Sequence, residues 1–203
     1  MSAPRRIGVF GGTFDPLHNA HLSLARAALR QAGLDEVLFV VSAAPPHKRG
    51  EVSLDAESRY AMVEAALRNE PGMQASRIEI ERGGPSYTAV TLERLQAEHP
   101  GARLYLILGM DAVRDLPQWH RPERILELAT VLAARRPKAD AELPPILSGH
   151  CEILDFEEQP LSSTEIRARL ASGRDVQDAI PAAVLALISK NRWYAGDAPQ
   201  HET

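Results

Sequence analysis

Apolar residues cluster along this chain in two ways. Short strand-length runs rich in apolar and β-branched residues occur at RIGVF (6–10), EVLFVVS (36–42), ARLYLIL (102–108), TVLAA (130–134) and CEILDF (151–156). QASRIEIE (74–81) alternates polar and apolar residues and reads as a further strand, the third in chain order. Between the runs, apolar residues recur every three or four positions. Leu22, Leu24, Ala25, Ala28 and Leu29 share one helical face, and Gly33 follows where a helix would end. Asp55 opens a helix carrying Tyr60, Met62, Val63, Ala66 and Leu67. Further helices are expected from about Ser86 to Glu98, over 123–129, from Ser162, and from Pro181, a residue suited to a first helical turn. Loops punctuated by proline or glycine, 43–52 and 138–150, complete the pattern.

Strands that alternate with helices predict an α/β fold, a doubly wound parallel sheet with helices on both faces. Such sheets bind ligands beyond the carboxyl ends of their strands, at the topological switch point. Residues 1–195 read as one domain with a helical C-terminal portion over about 162–192, and residues 196–203 as a disordered tail.

Composition narrows the function classes. The chain has 203 residues, 44% apolar and 25% charged, an ordinary globular balance. No run of ~20 apolar residues predicts a transmembrane helix, and the N-terminus lacks the apolar segment of a signal peptide. The single cysteine, Cys151, rules out an internal disulfide and a thiolate metal cluster, and suits the cytoplasm. A net charge of −4 without long blocks of either sign argues against duplex nucleic acid as a partner. Isolated cations in a cleft would suit a small anionic ligand. A homo-oligomer is left open.

The densest stretch is GVFGGTFDPLHNAHLSLARAAL (8–29). Gly11 and Gly12 close the first strand, where glycine lets the chain turn or a ligand approach the backbone. Neither G-x-G-x-x-G nor G-x-x-x-x-G-K-[ST] is present. His18 and His21 stand at the start of the first helix, where free N–H groups and the helix dipole favour phosphate. A metal reading needs more ligands than Asp15 offers nearby; two half-buried structural histidines are the plain alternative.

GGTFDPLHNAH closely resembles the first signature of the nucleotidyltransferase α/β-phosphodiesterase superfamily, whose core is H-x-G-H; here Ala20 replaces the glycine of His18-Asn19-Ala20-His21. LSSTEIR (161–167) resembles its second signature. Ser162 and Glu165 are accounted for by a capping box, whereas Thr164 and Arg167 are not. PPHK (45–48), GPSYT (84–88) and GMDAVRDLPQW (109–119) follow the second, third and fourth strands. Taken alone, Lys48 is a solvated loop lysine, Asp111 a helix-capping or ribose-binding residue, and Trp119 a residue that stacks on a planar ring or packs against a helix. The ordered set, from Gly8 to about Arg167, resembles the bacterial nicotinate-mononucleotide adenylyltransferases.

That resemblance implies a Rossmann-like nucleotidyltransferase fold and a role in NAD biosynthesis. AMP passes from ATP to nicotinate mononucleotide, giving nicotinate adenine dinucleotide and pyrophosphate. It implies that Gly11, Gly12, Thr13, Phe14, His18, His21, Gly109, Asp111, Ser163, Thr164 and Arg167 bind ATP. Lys48, Tyr87, Thr88 and Trp119 would hold the mononucleotide, and His18, His21, Lys48 and Arg167 would serve the reaction. Mg²⁺ is expected with ATP, without a resident metal site. The alternative within the class is a related nucleotidyltransferase such as the phosphopantetheine enzyme, which typically has threonine at the place of His18 and lacks the Trp119 loop. The alternative from another class is a non-catalytic nucleotide-sensing module, against which His18, His21 and Arg167 speak.

Overall fold

The computed structural model describes residues 3–44, 52–135, 143–156 and 161–195; Lys48 and the expected tail 196–203 lie outside these. In chain order the elements are β1 (Arg6–Gly12), α1 (Asn19–Gln31), β2 (Glu36–Val41), α2 (Ala56–Leu67), β3 (Met73–Ser76), α3 (Ile78–Arg82), α4 (Thr88–Glu98), β4 (Arg103–Gly109), α5 (Met110–Asp115), α6 (Pro122–Leu128), β5 (Ala129–Arg135), β6 (Cys151–Asp155), α7 (Ser163–Ala171) and α8 (Ala182–Asn191). The six strands form one parallel sheet in the order β3-β2-β1-β4-β5-β6.

The central strands are apolar along their middles, with Arg6, Glu36 and Arg103 only at their first positions, because both faces are covered. Alternate residues feed two cores. Val9, Leu38, Val40, Leu104, Leu106 and Leu108 pack with α4, α5 and α6, while Phe10, Val37, Phe39, Val41, Tyr105 and Ile107 pack with α1, α2, α7 and α8. Local chemistry sets the helix ends. Asp55 accepts from Ser58 N (2.8 Å) and Ser162 Oγ from Glu165 N (3.1 Å), and beyond α1 Gly33 takes φ +54 while Leu34 N donates to Leu29 O (3.0 Å).

One expected element is corrected. The third strand does not run from 74 to 81. It ends at Ser76, and Ile78–Arg82 forms α3. The partner strand decides this: Ser76 pairs with Val40 and β2 stops at Val41, so residues 77–81 have no ladder to join. The helix instead buries the adjacent Ile78 and Glu79 together, which a strand would place on opposite faces.

Strand order reverses at β1, which lies between β2 and β4. The crevice between the carboxyl ends of β1 and β4 is the switch point, where a doubly wound sheet holds its ligand.

Candidate active site

A cleft of 580 Å³ opens at this switch point. Val9, Val40, Leu106 and Leu108 line it from the sheet, Gly11, Gly12 and Thr13 from the turn after β1, Tyr87 and Thr88 from the start of α4, and Asp111 and Trp119 from the segment after β4. Residues expected at the site thus come from the ends of β1 and β4 and from the start of α4.

The two glycines do different things. A Cβ at Gly11 would meet nothing, so this position leaves the cleft open. A Cβ at Gly12 would lie 2.7 Å from the ring of Phe14. Gly12 therefore makes room for Phe14 rather than for a ligand side. Phe14 itself has φ +51, a strained setting for an aromatic residue, which carries its ring into a buried cluster with Phe10, Phe39 and His21. Its ring is thus committed to the core and does not line the cleft.

Trp119 packs against the core under α4–α6, half-buried, and also lines the cleft. Its loop is tied to α4 through Arg121 Nη2 and Glu93 Oε1 (2.9 Å). Tyr87 lies against His120, ring centroids 4.4 Å apart. Gly109, not Asp111, is the N-cap of α5; the Asp111 side chain is 86% exposed beside Arg114.

His18, His21, Ser163, Thr164 and Arg167 gather at a second point, around the start of α1. His18 is the N-cap residue, and its ring stacks on that of His21, centroids 3.7 Å apart. The His18 backbone N–H donates to His21 Nδ1 (3.2 Å), which places the His21 ring proton on Nε2. His18 is 5% exposed, its Nδ1 has no partner among the described residues, and burial lowers its pKa to about 4, so the ring is neutral at pH 7. Ser163 Oγ donates to Pro16 O (3.1 Å), and Arg167 Nη1 donates to Asp15 O (2.8 Å), so α7 is docked on the turn that leads into α1.

Asp15 organises that turn. Its carboxylate is 2% exposed, accepts from Ser53 N (2.6 Å) and Tyr194 Oη (2.6 Å), and stands 4.0 Å from Arg167. Burial, then the hydrogen bond to Asp15 and its charge, pushes the Tyr194 phenol far above its ordinary value. Arg59, 1% exposed, donates to Thr13 O, Ser42 O and Leu54 O at 2.7, 2.7 and 3.0 Å. It holds the ends of β1 and β2 at fixed spacing. Sequence reasoning passed over Arg59, Tyr194 and the buried Glu79. For Arg59 a signal existed: it falls in line with Met62 and Val63 on the apolar face of α2.

Residues 9–169 match the cytidylyltransferase-like family. The chain belongs to that family. Curated relatives are nicotinate-nucleotide adenylyltransferases. The Bacillus subtilis enzyme of that name is 38% identical over 94% of this chain and 98% of its own length. A probable one from Thermus thermophilus is 43% identical, over 93% and 99%. The fold is also that of the Plasmodium falciparum nicotinic acid mononucleotide adenylyltransferase complexed with APC (TM-score 0.77, 19% identity, 94% of this chain and 97% of that one). This cytidylyltransferase-like chain carries its departure from H-x-G-H, Ala20, inside the first turn of α1, half-buried. Alanine there supports the helix better than glycine by about 1 kcal/mol.

Proposed function

We infer that the protein is a nicotinate-nucleotide adenylyltransferase of NAD biosynthesis, acting on nucleotide substrates and transferring AMP from ATP to nicotinate mononucleotide. The observation that carries this reading is near-full-length similarity to enzymes of that name. The site supplies the chemistry. A phosphate oxygen of the mononucleotide is already an anionic nucleophile, so no general base is required. It attacks the α-phosphorus of ATP in line; the new P–O bond forms as the bond to the β-phosphate breaks and pyrophosphate leaves. What the protein must do is align two polyanions and offset the charge that gathers between them.

In this reading His18 and His21 donate to the α- and β-phosphates from neutral rings, His21 through Nε2. Ser163, Thr164 and Arg167 hold the outer phosphates, and Lys48 adds charge. Gly11, Gly12, Thr13 and Phe14 face the nucleotide with their backbone, and Gly109 and Asp111 take the adenosine ribose. Tyr87, Thr88 and Trp119 receive the nicotinate ring. Among the described residues no group of three or more His, Cys, Asp or Glu converges to hold a metal. The imidazoles and guanidinium at the phosphate end do not suit a hard, oxygen-seeking cation, and the Asp15 carboxylate is already taken up by Ser53 and Tyr194. Mg²⁺ is therefore read as part of the ATP substrate. No helix among the described residues is long and apolar enough to cross a membrane; we place the enzyme in the cytoplasm, with Cys151 reduced.

A pyrophosphate-release assay with ATP and nicotinate mononucleotide, run beside nicotinamide mononucleotide and phosphopantetheine, tests the reading. Release is expected with the nicotinate substrate. Its absence there, with turnover of phosphopantetheine, would overturn the assignment.

A further inference from the structure

Glu79 is a buried carboxyl group with no ion-pair partner among the described residues. It is 6% exposed on α3. Its Oε1 accepts from Thr91 Oγ1 at 2.6 Å, while its Oε2 is buried and has no partner. The side chain lines the cleft together with Thr91, Tyr87 and Thr88. A buried carboxylate oxygen without a partner is destabilising, so its persistence at a cleft wall points to a positively charged ligand group that offsets it.

The mononucleotide of the proposed reaction offers such a group. Its N-ribosylated ring is a pyridinium with a fixed positive charge, and its carboxylate is negative. The cleft wall presents the complementary order. The eleven-residue helix α4 begins at Thr88, where free N–H groups favour an anion. One turn further in, Thr91 holds Glu79, an anion that favours a cation. Thr91 N also donates to Tyr87 O (3.1 Å), which connects the two points.

We propose that Glu79 is the counter-ion of the pyridinium ring and a specificity-determining residue of the mononucleotide subsite. The inference rests on the adenylyltransferase reading above. It makes the positive ring charge, and not only ring shape, a condition of tight binding. A carboxylate oxygen accepting a ribose hydroxyl would be the competing role, and it does not depend on ring charge.

The test compares wild type with Glu79→Gln, which keeps the shape and an acceptor for Thr91. The probes are nicotinate mononucleotide and its 1,4-dihydro form, whose ring is neutral but whose phosphate nucleophile is the same. Wild type should show a KM about tenfold lower for the charged ring. E79Q should raise the KM for the charged form about tenfold and leave those of the dihydro form and of ATP within about twofold. Thermal unfolding of E79Q should not fall below wild type, because a buried charge has been removed. An unchanged KM for the charged form overturns the proposal, and so does an equal rise for both forms. If E79Q does not fold, Glu79→Asp replaces it. Keeping the charge one carbon further back, it should preserve a preference for the charged ring; loss of that preference would count against the proposal. Wild type inactive on nicotinate mononucleotide would instead defeat the function reading itself.

Discussion

Asp15 and Asp111 stand at opposite ends of the same site. Asp15 is 2% exposed and takes hydrogen bonds from Ser53 and Tyr194, with Arg167 and Arg59 close by. The Asp111 side chain is 86% exposed and pairs with Arg114 at 3.3 Å. The turn into α1 is thus organised around a buried carboxylate whose partners converge from three other parts of the chain. The wall after β4 is built on apolar packing beneath, with polar groups left facing the cleft. The difference suits the two tasks proposed for them. Phosphates need donors already in place, because reorganisation during the reaction would cost rate. A sugar and a planar ring can be received by groups that settle on contact.

The largest expected effect breaks the phosphate end. His18→Ala should lower kcat by about 10²–10³-fold while the far-UV circular dichroism stays that of wild type. Near-normal turnover would remove His18 from the reaction. The same residue predicts a pH dependence. Its folded pKa is about 4 against 6.5 unfolded, so the unfolded chain takes up a proton first as pH falls. Stability conferred by the neutral ring is complete above pH 6.5 and should be lost downward, by about 3 kcal/mol at pH 4. Urea unfolding of wild type and His18→Gln across this range checks it, the variant showing the flatter profile.

Asp15→Ala should cost a similar amount, about 3 kcal/mol of unfolding free energy, by stranding the charges around it. Tyr194→Phe, which leaves the carboxylate in place, should cost about 1 kcal/mol. Equal losses in the two variants would mean that Tyr194, and not the charge cluster, carries the turn. At the open wall, Trp119→Ala should raise the KM for nicotinate mononucleotide about tenfold or more, with little change in that for ATP. The smallest effect is expected from Asp111→Ala: a KM for ATP raised about fivefold and an unchanged melting temperature, as befits an exposed side chain.

The comparison also marks where local sequence stops being informative. His18, His21 and Arg167 were legible because each sits in a short signature at a helix start. The glycine pair was legible as a turn, yet Gly12 answers to Phe14, two residues on, whose left-handed backbone no periodicity announces. The segment 74–81 alternates as a strand should, and only the early end of β2 turns its second half into a helix.

By itself, the sequence determined the six strands, most of the helices between them, the parallel sheet and the two signatures at the starts of α1 and α7. These follow from patterns a few residues long: apolar runs, helical periodicity, caps and short motifs. Only the tertiary structure decided what holds those signatures in place. The carboxylate of Asp15 meets the hydroxyl of Tyr194, 179 positions away, and Glu79 meets Thr91 inside the cleft wall. The physical reason is that a buried charge takes its partner from whatever segment the fold brings near. Such a partner leaves no periodic trace in the chain, whereas an apolar face repeats with every turn of its own helix.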